Sequence, residues 1–488
     1  MNREQMQTYR VEGYRLLPVK RTYNGVTLDP SEIYERLGWD GPHHFLLESG
    51  KMGECSFVGS KPFATLTAKN GRVVFTHGEQ REEREGDPLE ILREKMAAFR
   101  APRLEGFPKL RGGAVGFLSY DTARYIERLP ERSRDDLGTP DLYFVFVDKL
   151  CVIDHQQGLV HLIAHADLLV EDGLAQAEAG LQEMEQKLFH GEAQTPVFPA
   201  LSVQEDWSYS FSQEAFENAV EQVQEYIRQG DVFQVNLSVR QGRTLGAAPY
   251  EIYKHLRQIN PSPYAGYLHF PELQIVSSSP ELLVNVLQGE CNTRPIAGTR
   301  PRTGDAEQDR LAVEELRSNE KEIAEHIMLV DLERNDLGRV CRYGSVEVNE
   351  LMVIEEYSHV FHIVSNVRGQ LGAGKDAYDV IRATFPGGTI TGAPKIRTME
   401  IIEELEPTRR GIYTGSIGWI DFDGDMELNI VIRTLQVQDG KGYVQAGAGI
   451  VIDSVPEREY YESLRKAKAL WVAIEKAEQA AQKGGEQA

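Results

Sequence analysis

The second half of the chain is a succession of short strand-forming runs, at 232–237, 274–278, 282–286, 416–421, 428–435 and 443–452. Several follow one another across short turns with no helix between. Many mix apolar and polar residues, as a strand with one face on a core and one face wet requires. Parallel strands need a long, usually helical crossover, so strands joined by short turns pair antiparallel. The pattern therefore predicts an α+β fold over a regular βαβ succession. Runs at 44–48, 63–68 and 143–147 add strands to the first part, with helices interspersed.

The clearest division of the chain falls near 190–210, where Pro196 and Pro199 stand among small polar residues after an acidic helical segment at 167–188. The expected organisation is a region 1–195, a second region 205–475, and a frayed tail 476–488 of Ala, Gln, Glu, Lys and Gly. The second region opens on a well-marked helix. Ser212 is placed to cap it, Phe211 and Phe216 to staple it, and Phe216, Val220, Val223 and Ile227 form an apolar stripe up to Gly230.

Charge narrows the partners. The chain has 53 basic and 75 acidic side chains, a net charge of −22. A phosphate backbone is repelled by such a surface, so nucleic acid is not an expected partner. No run approaches the length of a membrane span and the first thirty residues lack a leader pattern, so no membrane is expected either. The four cysteines, Cys55, Cys151, Cys291 and Cys341, have neither disulfide-framework nor zinc-ligand spacing; a cytoplasmic protein is expected.

Two helical segments each carry a carboxylate pair. Glu322 and Glu325 are spaced i, i+3, with Ile323, Ile327 and Val330 expected to face the core; Glu459 and Glu462 repeat the spacing, with Lys466 a turn further on. Each pair alone reads as a solvated helix face, but convergence of the two would suit Mg²⁺. Two glycine-rich runs, Phe385-Pro-Gly-Gly-Thr-Ile-Thr-Gly-Ala-Pro-Lys and Ala446-Gly-Ala-Gly-Ile, can offer backbone N–H groups to an anion, the first with Lys395 at hand, or be ordinary turns. Neither matches a nucleotide-binding fingerprint. Arg433 lies in an apolar run, 429–434, where a guanidinium requires a carboxylate partner from protein or ligand. His326, His359 and His362 taken singly read as scaffold.

Together these motifs resemble the chorismate-utilising enzyme family. The signature runs are Pro295-Ile-Ala-Gly-Thr-Arg, the segment 325–339, Gly387–Lys395, and Gly447-Ala-Gly with the helix of Glu462. The earlier part resembles the N-terminal region shared by anthranilate synthase component I and aminodeoxychorismate synthase component I. The resemblance implies large antiparallel sheets packed as a sandwich with helices outside. It also implies Mg²⁺ on Glu325 and Glu462 with Glu322 and Glu459 assisting. Chorismate contacts would come from Gly298, Thr299, Tyr413, Arg433, Gly447, Ala448 and Gly449, with Lys466 near a carboxylate. Glu281 matches the family's general acid, and His362 a histidine implicated in pyruvate elimination.

The branches divide at a few positions. Isochorismate and salicylate synthases activate water with a lysine, where this chain has Gln234, so the resemblance implies ammonia as nucleophile, delivered by a separate glutamine amidotransferase subunit. Ala297 stands where many aminodeoxychorismate synthases carry a nucleophilic lysine and is similar to anthranilate synthases. The runs 385–395 and 404–419 resemble the aminodeoxychorismate branch instead, and the reading favours that branch, which leads to 4-aminobenzoate and folate. A degenerate, purely binding member has no need of the intact set Glu281, Glu325, His362, Arg433 and Glu462. Ser49, Pro263, Tyr264 and Ala265 resemble elements of a regulatory tryptophan pocket, and read equally as strand and turn residues.

Overall fold

The computed structural model describes residues 3–38, 41–49, 54–194, 206–357 and 360–485. Two large antiparallel sheets dominate it. The first runs in the order Leu16–Asn24, Leu159–Asp167, Lys149–Asp154, Cys55–Ser60, His44–Glu48, Tyr264–His269, Gln274–Ser279, Thr434–Gln438, Lys441–Ile450 and Gln234–Thr244. The second includes Ile296–Pro301, Val360–Gln370, Glu290–Thr293, Leu282–Leu287, Met426–Asn429, Ser416–Asp421, Gly113–Leu118, Leu142–Val147 and Ala64–Lys69.

The sheets pack face to face. Phe45, Phe57, Val152 and Ile275 from the first meet Phe117, Val145, Ile417 and Trp419 from the second in one buried cluster. Helices cover the outer faces: Pro249–Ile259 and Pro456–Gly485 pack on the first sheet, and Pro88–Ala97 and Ala377–Thr384 on the second. Burial of both faces explains why strands such as Leu142–Val147 are apolar throughout.

Both sheets run across the division drawn from composition. His44–Glu48 pairs with Tyr264–His269, and Gly113–Leu118 with Ser416–Asp421. The boundary between 1–195 and 205–475 is thus one of sequence; backbone pairing joins its two sides into shared sheets. Residues 195–205 themselves lie outside the described residues.

Most predicted elements stand within a few residues of their expected limits, and the departures have physical causes. The acidic helix occupies Gly173–His190, because the residues before it finish the strand Leu159–Asp167. The 428–435 run is two strands in two different sheets, Met426–Asn429 and Thr434–Gln438, and 430–433 crosses between them with Arg433 at φ +50°. The tail does not fray at 476: helix Pro456–Gly485 continues, with Ala477 buried and Glu478 accepting two hydrogen bonds from Arg243, 2.9 and 2.8 Å, in a buried bidentate pair. Residues 486–488 lie outside the described residues. The helix Gln213–Arg228 forms as its signals require: Ser212 accepts from the Ala215 N–H, and the rings of Phe211 and Phe216 meet edge to face at 5.7 Å.

Candidate active site

Helix Glu320–Gly338 begins where Asn319 accepts the N–H of Glu322, so both its carboxylates sit in the first two turns. Its buried face is His326, Leu329, Val330 and Glu333; Ile327, expected in the core, is 44% exposed. That rotation turns Glu322 and Glu325 into a cleft of about 570 Å³, which is also lined by Glu459, Glu462 and Lys466 from helix Pro456–Gly485. Glu281, Gly298, Thr299, His362, Tyr413, Arg433, Gly447 and Gly449 line the same cleft. Ala448 does not. Strand alternation sends its side chain to the other face, among Val235, Leu237 and Ile450, leaving only its backbone for a ligand.

The glycine at 298 is required by space and conformation. It lies at an irregularity in the pairing of Ile296–Pro301 with Val360–Gln370, has φ +66°, and a Cβ there would overlap the Glu322 carboxylate. Beside it, His362 Nδ1 lies 3.1 Å from the Gly298 carbonyl and 3.0 Å from the Thr299 hydroxyl. A carbonyl accepts only, so Nδ1 carries the proton and Nε2, buried and without a partner, is left with its lone pair. Burial holds the ring neutral, lowering its pKa to about 4.

Glu281 has the opposite shift. It is 5% exposed, its Oε1 has no hydrogen-bond partner, and burial pushes its carboxyl up to about 7, offset in part by the Thr389 hydroxyl and the Arg433 charge. A carboxyl poised there is half protonated near neutrality, as a general acid should be. Arg433 forms no ion pair with a described carboxylate, and burial lowers its pKa. The partner it requires is therefore left for a ligand.

The metal candidates each hold a protein partner. Arg300 donates to Glu322 at 2.6 Å, Gln234 Nε2 to Glu325 at 3.1 Å, and Lys466 lies 2.9 Å from Glu462 and 3.0 Å from the Gly447 carbonyl. Burial and the neighbouring Glu462 charge raise the Glu459 pKa. Among the described residues no three acidic, His or Cys side chains converge closely enough to cage an ion. The donor chemistry still fits Mg²⁺, which takes one or two carboxylates and completes its shell with water and substrate oxygens.

Two cations of the signature runs, the expected anion contact Lys395 and Arg294, are committed elsewhere. Lys395 is held by Asp336 at 2.6 Å and by the Thr384 carbonyl, away from the cleft. Arg294 pairs with Glu350 and Glu355. His326 donates to or accepts from Ser365 at 2.6 Å as scaffold, and His359 lies outside the described residues. Sequence reasoning passed over Asn236 and Gln445 in the cleft, and Glu333, buried and protonation-prone behind Glu281; Thr389, from the glycine-rich run, also lines the cleft. Gln445 had one signal: a polar residue two positions before Gly447, hence on the same strand face.

Ser49, Pro263, Tyr264 and Ala265 do come together, with Phe57 and Trp419, around a separate cavity of about 40 Å³. Both of its acids are already taken up, Glu48 by Arg257, at 2.9 and 2.6 Å, and by the Tyr253 hydroxyl, and Glu427 by Lys109, at 2.9 and 2.7 Å.

A two-sheet sandwich whose cleft joins acidic helix pairs to a buried acid, a neutral histidine and an unpaired arginine defines an enzyme, and the chain belongs to the chorismate binding enzyme family, whose model matches residues 42–471. It is 51% identical to aminodeoxychorismate synthase component 1 of Bacillus subtilis over 91% of this chain and 94% of that one. It is 46% identical to anthranilate synthase component 1 of Thermus thermophilus over 95% and 99%. Among solved structures, anthranilate synthase component I of Streptococcus pneumoniae superposes with a TM-score of 0.76 at 36% identity, covering 92% of this chain and 99% of that one. The menaquinone-specific isochorismate synthase of Escherichia coli shares the fold, with a TM-score of 0.71 at 16% identity over 96% and 100%.

Proposed function

We propose that this chain aminates chorismate with ammonia to give 4-amino-4-deoxychorismate, acting with Mg²⁺ and with a glutamine amidotransferase subunit as the ammonia source. The observation that carries the reading is the 51% identity, over nine-tenths of both chains, to a protein named aminodeoxychorismate synthase component 1. Gln234 supports it further: hydrogen-bonded to Glu325, it offers no amine that could generate hydroxide.

In this scheme Arg433 and Lys466 hold the carboxylates of the substrate, reversing locally the field of a chain at −22. Glu325 and Glu462, assisted by Glu322 and Glu459, would hold Mg²⁺, which supplies charge neutralisation at a substrate carboxylate. Glu281 donates its proton to the departing C4 hydroxyl, so the C4–O bond breaks to water as ammonia or water, in the absence of a nucleophile at Ala297, bonds to C2. The proton lost by the added group restores the Glu281 carboxyl. Ammonia then bonds to C4 as the C2 group leaves with the proton that the new amine gives up, and the reaction balances as chorismate plus ammonia to product plus water.

A second reading is favoured by one observation. His362 has a free, neutral Nε2 in the cleft, the base that elimination of pyruvate to anthranilate would use. Incubating the chain with chorismate, Mg²⁺ and ammonium salt separates the two. Aminodeoxychorismate, yielding 4-aminobenzoate only when a lyase is added, is expected; anthranilate plus pyruvate would overturn the assignment.

A further inference from the structure

Two antiparallel strands form one wall of the cleft, and their facing residues make an unusual row. Asn236 and Ser238 pair in register with Gly449 and Gly447, and Gln445 follows on the same face as the two glycines. The glycines leave room for the amides to lie across the wall: a Cβ at Gly447 would stand 2.6 Å from Asn236 Oδ1.

A buried charge sets the polarity of this row. Arg410 holds Glu406 through two hydrogen bonds of 2.9 and 2.7 Å, and both are fully buried. The Ser238 hydroxyl gives its only proton to Glu406 at 2.8 Å, and so can only accept from Gln445 Nε2, also at 2.8 Å. Gln445 Oε1 is thereby fixed as the end without a partner, on a residue 6% exposed that lines the cleft. Asn236 Oδ1, which lies over Gly447 on the same wall, is also buried without a partner. Two orphaned acceptors in one wall call for a small ligand rich in donors. The carboxylates of chorismate are acceptors and would be repelled, whereas ammonia offers three N–H groups.

We propose that the side-chain carbonyls of Asn236 and Gln445 form the seat of the ammonia nucleophile, and this deepens the amination reading on which it rests. The test is steady-state kinetics with ammonium chloride as sole nitrogen source, on the wild type, Gln445→Met and Asn236→Leu. The KM for ammonium is expected to rise about tenfold in each variant, as loss of one hydrogen bond implies. The KM for chorismate and the circular dichroism spectrum stay as in the wild type, and saturating ammonium restores kcat. A raised KM for chorismate with that for ammonium unchanged would assign the carbonyls to the substrate hydroxyl and overturn the proposal. No change in either constant would assign them to ordered water. A wild-type chain that makes no aminated product overturns the amination reading and the seat together, whereas normal wild-type turnover with unmoved variants overturns the seat alone.

Discussion

The cleft and the small cavity at Ser49, Pro263, Tyr264 and Ala265 are built from the same sandwich, yet their polar groups are in opposite states. In the cavity, Glu48 is saturated by Arg257 and Tyr253, and about 40 Å³ remains, room for a few waters. In the cleft, Glu281, His362, Asn236 and Gln445 each keep a buried atom without a partner in about 570 Å³. Burying an unmet polar atom costs about 1–3 kcal/mol, so four of them in one place point to a ligand. A saturated carboxylate supports a fold; an unsaturated one is available to chemistry.

The contrast breaks most visibly at the acidic helices. Glu325→Gln is expected to lower turnover on the order of 10³-fold, since several kcal/mol of charge stabilisation rest on that wall. Turnover measured against Mg²⁺ concentration, with the fold checked by circular dichroism, tests it; unchanged turnover removes Glu325 from the metal site. Glu281→Gln comes next, with kcat reduced about 10²–10⁴-fold and the KM for chorismate little altered. The wild-type kcat should fall as pH rises through about 7, as the Glu281 proton is lost.

Glu48→Gln reverses the pattern. Breaking its part-buried pair with Arg257, which keeps Asp29, should cost about 1–3 kcal/mol of stability, read as a lower melting temperature, while kcat and KM of the folded protein stay at wild-type values. A kinetic defect without a melting shift would erase the distinction between the two regions.

The smallest effect is a pH slope in stability. The folded pKa of Glu281, about 7, stands above the ordinary 4.5, so the native state holds a proton that the unfolded chain has released. Its contribution is present below 4.5 and lost as pH rises through 7. His362 acts in the other sense: with a folded pKa of about 4 against 6.5, its contribution is present above 6.5 and lost as pH falls through 4. Melting temperatures of Glu281→Gln and His362→Gln across pH 4–8 should each flatten one of these slopes; a parallel offset from the wild type at every pH would contradict the assignments.

Periodicity and spacing determined a good deal by themselves. The strand Ser416–Asp421, the capped helix Gln213–Arg228 and the i, i+3 carboxylate pairs are local features, set by backbone hydrogen bonding and side-chain direction within a few residues. Motif order carried the family and, with one exception, placed in the cleft the contacts that the resemblance implied, though it missed Asn236 and Gln445. That exception, Ala448, was named as part of a run, and strand alternation divides a run between two faces.

Tertiary structure decided the rest. The division near 195–205 is real as composition, but pairing partners more than a hundred residues apart are invisible to composition, and the sheets cross it. The 428–435 run looked continuous because Ile430-Val431-Ile432 between its two strands is β-branched and apolar; only packing makes 430–433 pass from one sheet to the other and deliver Arg433 to the cleft. The exposure of Ile327 and the burial of Glu478 against Arg243 follow from what lies across each helix. So does the state of every acid: Glu48, Glu281 and Glu325 are one residue type in the sequence. Their surroundings make the first a strut and the second an acid poised near neutrality, and place the third on the acidic wall of the cleft. The sequence by itself determined which groups the protein carries; desolvation and the partners brought by distant strands decided which of them remain free to react.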